Sequence, residues 1–206
     1  MDSVDPRRRQ FERRSSISSV FVAVLIGVAY EKMADPVQEV IHNSSFTLGN
    51  ISLIVIFFFT SIRFFIGNLL HLTSERLMAL EGVRWLYDLT IILVQSVLLI
   101  FLGGNASVEE SQESPLGFFG LLALLYIVDV YWIVSRWVFG RIRGGWRREF
   151  TPWAWAILNM LLICSIAATY LVSGDLHSDV ALLWLGIAST IAFIIDIVLI
   201  DYYKLM

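Results

Sequence analysis

Residues 51–70 read ISLIVIFFFTSIRFFIGNLL. A helix of about 20 mostly apolar residues is long enough to cross the ~30 Å hydrocarbon core of a bilayer. A membrane β-strand would instead alternate apolar and polar residues over about 10 positions, and this stretch does not alternate. It therefore predicts a membrane-spanning α-helix, and one that carries a charged side chain, Arg63, at membrane depth.

The composition of the whole chain agrees with this interpretation. Of its 206 residues, 57% are hydrophobic and 16% are charged, and the mean hydropathy is +0.73. Soluble proteins average about 45–50% apolar and about 25% charged residues, because charged side chains cover the surface that faces water. We therefore expect an integral membrane protein whose natural solvent is the lipid bilayer.

Five further runs of spanning length flank this stretch. The six predicted spans cover about residues 15–33, 51–70, 85–102, 116–139, 153–172 and 180–200. They fill most of the chain, so we predict one membrane domain of residues 1–206, an all-α polytopic bundle of six transmembrane helices. The longest predicted connection joins the first two spans and ends at residue 50.

The basic residues predict the orientation of this bundle. Lys and Arg concentrate in cytoplasmic segments of membrane proteins. A basic tail (residues 1–14) and a basic loop (residues 140–150) fall on one side with most of the other cations, whereas the opposite side holds only Lys32. We therefore expect both termini in the cytoplasm. Because the cations are almost all Arg, we also expect a bacterial protein of the inner membrane.

Polar side chains within the spans are the candidates for function. An ionisable group at the bilayer centre costs at least about 2.5–3.5 kcal/mol, so it needs a partner or a wet cavity. Asp88, and Arg136 at the end of the fourth span, lie close enough to the inner boundary that we expect water to solvate them. The candidate pore or polar core comprises Arg63, Asn68, His71, Asp88, Gln95, Asp129, Asn159 and Asp196.

Two interpretations of these residues stay open. Arg63 with Asp129 or Asp196 could form an internal ion pair that fixes helix register, with Gln95 and Asn159 as hydrogen-bond partners between helices. Alternatively, the polar groups line a path for water or a small ion, of which a proton relay through Asp129 is the sharpest version.

The basic loop is a second candidate surface. Its basic and aromatic side chains suit anionic lipid headgroups or an acidic cytoplasmic protein partner. We do not expect nucleic-acid binding, since no nucleic-acid module accompanies the pattern. The residues that would make these contacts are Arg141, Arg143, Trp146, Arg147 and Arg148.

The sequence carries no hydrolase, zinc-protease or phosphate-loop motif, so we expect neither an enzyme nor a resident metal or cofactor. It favours an oligomeric membrane protein that conducts or transports a small ion, along a path in the bundle or on the oligomer axis. The alternative is a non-conducting sensor or anchor that recruits a cytoplasmic partner through its Arg-rich face, for example in bacterial stress or phage defence.

Overall fold

A computed structural model describes residues 6–42, 46–73, 82–107, 116–142 and 153–204. Helices account for nearly all of them, and no strand occurs in these ranges, which confirms the predicted all-α class. In chain order the helices are α1 (Pro6–His42), α2 (Leu48–Thr73), α3 (Gly82–Gly104), α4 (Gly117–Ile142), α5 (Trp153–Ser173) and α6 (Asp179–Lys204).

Each of these six helices is long and apolar enough to cross a membrane. The spanning segments are Ser15–His42, Leu48–Leu72, Trp85–Gly104, Gly117–Val138, Trp153–Ser173 and Asp179–Val198. The first helix differs most from the sequence pattern, because α1 continues through residues 34–42, which were expected to belong to a connection. This added part exposes Asp35 and Glu39 and contains Pro36, so hydropathy alone ends the span earlier.

Consecutive helices run in opposite directions. The end of α2 meets the start of α3, where His71 contacts Asp88. Asn68, one turn earlier on α2, contacts Gln95, two turns later on α3. Helices α2 and α6 run parallel, since Phe59 and Arg63 meet Phe193 and Asp196 in the same order along the two helices. The arrangement therefore brings the end of α2, the start of α3 and the end of α4 to one end of the bundle.

Helix α2 lies at the centre of this bundle. It shares a side-chain contact with each of the other five helices, and half of its spanning window is buried. Five pairs make these contacts: Ser61 with Tyr30, Asn68 with Gln95, Thr60 with Tyr126, Arg63 with Asn159, and Arg63 with Asp196. The polar side chains of α2 are thus in contact with the neighbouring helices.

Candidate functional site

Arg63 lies in the middle of the bundle and is buried. Its Nε donates to Oδ2 of Asp196 on α6. Its Nη2 donates to Oδ1 of Asn159 on α5 at 3.1 Å. The guanidinium also lies 5.9 Å from the ring centroid of Tyr126, within range of a cation–π attraction. Arg63 is therefore held by three helices at once, and the interpretation that it pairs with an acid agrees with this geometry.

Asp129 on α4 is held differently, by amides alone. Its Oδ1 accepts a hydrogen bond from Nε2 of Gln95 at 2.9 Å, and its Oδ2 accepts one from Nδ2 of Asn159 at 2.6 Å. Arg63 makes no hydrogen bond to this carboxylate and is linked to it by hydrogen bonds through Asn159. Asp129 is thus a buried acid whose two oxygens are bonded to neutral groups.

These contacts join into one hydrogen-bonded chain, which we call the central network. Nδ2 of Asn68 donates to Oε1 of Gln95 at 3.2 Å and so adds α2 to the start of the chain. The network links α2, α3, α4, α5 and α6. It comprises Asn68, Gln95, Asp129, Asn159, Arg63 and Asp196.

The charges of the central network do not cancel. It contains one guanidinium and two carboxylates, all of them buried. With both acids ionised, the network carries one uncompensated negative charge in a medium where an unpaired charge is expensive. A proton or a bound cation would neutralise it.

A second polar group lies nearer the end of the bundle, and we call it the end cluster: His71, Asp88, Trp132 and Arg136. Asp88 Oδ2 contacts Nε2 of His71 at 3.1 Å, and Asp88 Oδ1 accepts a hydrogen bond from Trp132 Nε1 at 2.8 Å. Nη1 of Arg136 lies 3.2 Å from Nδ1 and 3.3 Å from Nε2 of His71, and its Nε lies 3.9 Å from Oδ1 of Asp88.

The end cluster corrects one expectation from the sequence. Asp88 was expected to be solvated at the boundary, but its side chain is only 3% exposed. Trp132 and His71 cover it, and the two rings pack edge to face with centroids 4.7 Å apart. Arg136 is 35% exposed, and its solvation by water stays a prediction. Hydropathy measures depth along a helix and cannot show that a neighbouring helix covers the same position.

The sequence did not single out Tyr126 or Trp155 as site residues. The hydroxyl of Tyr126 lies 3.2 Å from that of Thr60 and extends the polar contacts away from the end cluster. The ring of Trp155 occupies the space that a Cβ atom at Gly67 would need, at 2.3 Å. A signal was present, because Gly67 lies one helical turn from Arg63 and Trp155 one turn from Asn159.

The basic surface predicted from the sequence lies almost entirely outside the residues that the structure describes. Arg143, Trp146, Arg147 and Arg148 lie outside the described residues, and so does the side chain of Arg141 at the end of α4. The role predicted for this surface stays a prediction.

Taken together, the six apolar helices and their polar interior define a multi-pass helical membrane protein. No family model, no curated protein and no solved structure matches the chain. The function therefore has to be argued from the chemistry of the central network and the end cluster.

Proposed function

We propose that the protein transports protons, alone or coupled to another small ion, and that Asp129 is the group that binds and releases the proton. The observation that carries this proposal is the carboxylate of Asp129, buried in the bundle with amide partners and without direct contact to the one guanidinium of the central network. A carboxylate that served only as a structural anchor would be paired with that cation, as Asp196 is.

The amides around Asp129 allow it to change protonation state. When ionised, the carboxylate accepts one hydrogen bond on each oxygen, as described above. When protonated, its O–H needs an acceptor, and rotation of the Gln95 or Asn159 amide by 180° turns a carbonyl oxygen towards it. Gln95 also bonds to Asn68, and Asn159 also bonds to Arg63. Rotation of either amide after protonation of Asp129 therefore changes the hydrogen bond that Asn68 or Arg63 makes.

The dimensions of the central network favour a proton over a hydrated ion. Its members contact one another directly, with donor–acceptor distances between 2.6 and 3.2 Å for the bonds to Asn68, Gln95, Asp129 and Asn159. A hydrated ion would have to break these bonds, whereas a single proton binds to a carboxylate oxygen of Asp129 without separating the side chains. The network belongs to a single chain, so we place the path within each bundle rather than on an axis between subunits.

A flux measurement tests the proposal. The purified protein is reconstituted into vesicles of phosphatidylethanolamine and phosphatidylglycerol, and a potassium diffusion potential drives proton uptake, which a trapped pH-sensitive dye reports. We expect faster uptake than in protein-free vesicles. Asp129→Asn should reduce it at least about tenfold, since a positioned proton-transfer group contributes about 10²–10⁴-fold.

The matched control is Asp35→Asn, the same chemical change at an exposed carboxylate of α1. It should conduct as the wild type does. Wild-type protein that is folded, monodisperse and inserted but gives no flux at any pH would contradict the proposal and favour the sensor or anchor alternative. The oligomeric state expected from the sequence stays a prediction, which the mass of the detergent-solubilised protein measures.

A further inference from the structure

The imidazole of His71 contacts a carboxylate on one neighbouring helix and a guanidinium on another. Its Nε2 lies 3.1 Å from Oδ2 of Asp88 on α3. Nη1 of Arg136 on α4 lies 3.2 Å from Nδ1 and 3.3 Å from Nε2 of the ring, and Nε of Arg136 lies 3.9 Å from Oδ1 of Asp88. These two are the ionisable groups that face the ring among the described side chains, and α4 also contributes the ring of Trp132.

One protonation state of the imidazole satisfies both contacts. With its proton on Nε2, the neutral ring donates to Asp88 and accepts a hydrogen bond from Arg136 on Nδ1. A second proton on Nδ1 removes this acceptor and turns an N–H towards the guanidinium, so that two donors and two positive charges face each other. Arg136 must then move, and its 35% exposure means that the surrounding protein does not enclose it.

We propose that His71 is the group through which protons enter and leave the central network at this end of the bundle, and that Arg136 is displaced each time the imidazole is doubly protonated. This inference rests on the proposed proton transport. Without a titrating group, the end cluster would only be a second structural ion pair.

The proton steps balance at named atoms. The Nδ1 lone pair of His71 takes a proton from hydronium, which leaves as water, and the ring becomes an imidazolium. The imidazolium gives its Nδ1 proton to water on the side of the central network, which restores the neutral ring with its proton on Nε2 and forms hydronium. The Asp129 carboxylate takes the proton from this hydronium to become a neutral acid, and water is left. Water is needed because Asp88 and Gln95 lie seven residues apart on α3, about 10 Å along the helix axis.

His71→Gln in the same vesicles tests the inference. Proton uptake is measured while the pH is varied between about 5 and 8, the range in which histidine titrates. We expect uptake to fall about tenfold or more, as for loss of a positioned proton-transfer group, and to lose its dependence on pH in this range. The matched control, His42→Gln, changes an exposed histidine at the far end of α1 and should keep the wild-type profile.

A second variant keeps the inference testable if His71→Gln does not fold. Arg136→Gln removes the positive charge that faces Nδ1, which favours the imidazolium, so the pH profile should move up by about 1 pH unit. A purely structural role for the cluster would lower the amount of folded protein but would leave the profile of the remaining protein where it was.

The outcomes separate the two proposals. If the wild type conducts and Asp129→Asn does not, but His71→Gln or Arg136→Gln keeps the wild-type pH profile, the role of His71 is wrong and proton transport through Asp129 stands. If folded wild-type protein does not conduct, both fall together.

Discussion

Asn159 is the residue that connects the two kinds of charge in this bundle. Its carbonyl oxygen accepts a hydrogen bond from Arg63, and its amide nitrogen donates to Asp129. A single neutral side chain thereby satisfies a cation on α2 and an anion on α4. Arg63 and Asp196 contact each other directly, so the effect of replacing one on the free energy of unfolding should depend strongly on whether the other is present.

Substitution of Arg63 and Asp196 tests that dependence. Arg63→Leu alone leaves two buried carboxylates without the cation and should reduce the free energy of unfolding by about 3–5 kcal/mol. Combining it with Asp196→Leu removes one of these charges and should recover at least half of the loss. Thermal and denaturant unfolding in detergent, followed by circular dichroism, measures both. A double variant as unstable as the sum of the two single variants would show that the pair is not coupled.

The sequence could predict the members of the central network but not its connections. Helical periodicity shows which residues of one helix share a face. It does not show which helix that face meets. The sequence predicted Asp129 or Asp196 as the acid that pairs with Arg63. Asp196 contacts Arg63 directly, whereas Asp129 is linked to it through Asn159. Which acid is the direct partner depends on the order of the helices around α2.

At the scale of the helices, α1 and α3 approach each other closely at Gly103. A Cβ atom at Gly103 would lie 2.5 Å from the carbonyl oxygen of Ala29 and 3.3 Å from the backbone nitrogen of Met33. Backbone atoms cannot move aside as a flexible side chain can. Small residues at helix contacts in membranes permit this kind of packing.

The neighbouring glycine provides a matched comparison. Gly103→Ala should force α1 and α3 apart and cost about 1–3 kcal/mol of stability, as overpacking of a tight contact does. Gly104→Ala meets no atom within 4 Å and should be neutral or slightly stabilising, since alanine favours a helix by up to about 1 kcal/mol over glycine. Melting temperatures of the two purified variants measure the difference. Equal melting temperatures would mean that the α1–α3 contact is not tight.

The six spanning helices could be predicted because the features that define one, its length and its apolar composition, can be read from a single continuous segment of sequence. Its length follows from the bilayer and its apolar composition from the lack of water there. The extension of α1 was not predictable in this way. Asp35 and Glu39 make it polar and Pro36 disfavours a helix, so hydropathy does not distinguish this helical segment from a connection.

For the whole molecule, the end of the bundle at which the end cluster lies determines the compartment whose pH reaches His71. His71, Asp88 and Arg136 lie at the end of the bundle where α2 ends, α3 begins and α4 approaches its own end, and the alternation of helices puts the start of α1 at that end too. The basic residues of the sequence predict that this end is cytoplasmic. If so, His71 responds to cytoplasmic pH.

Two positions on α1 test this orientation. Cys164, the one cysteine in the sequence, is exposed on α5, and Cys164→Ser provides a background without thiols. In it, Glu12→Cys and Glu39→Cys place single exposed thiols 27 residues apart, about 40 Å along one helix and thus on opposite sides of a bilayer. A membrane-impermeant maleimide should label Glu39→Cys in intact cells, and Glu12→Cys only after permeabilisation. The reverse pattern would overturn the predicted orientation and would make His71 a sensor of external pH, because the end cluster lies on the side of residue 12.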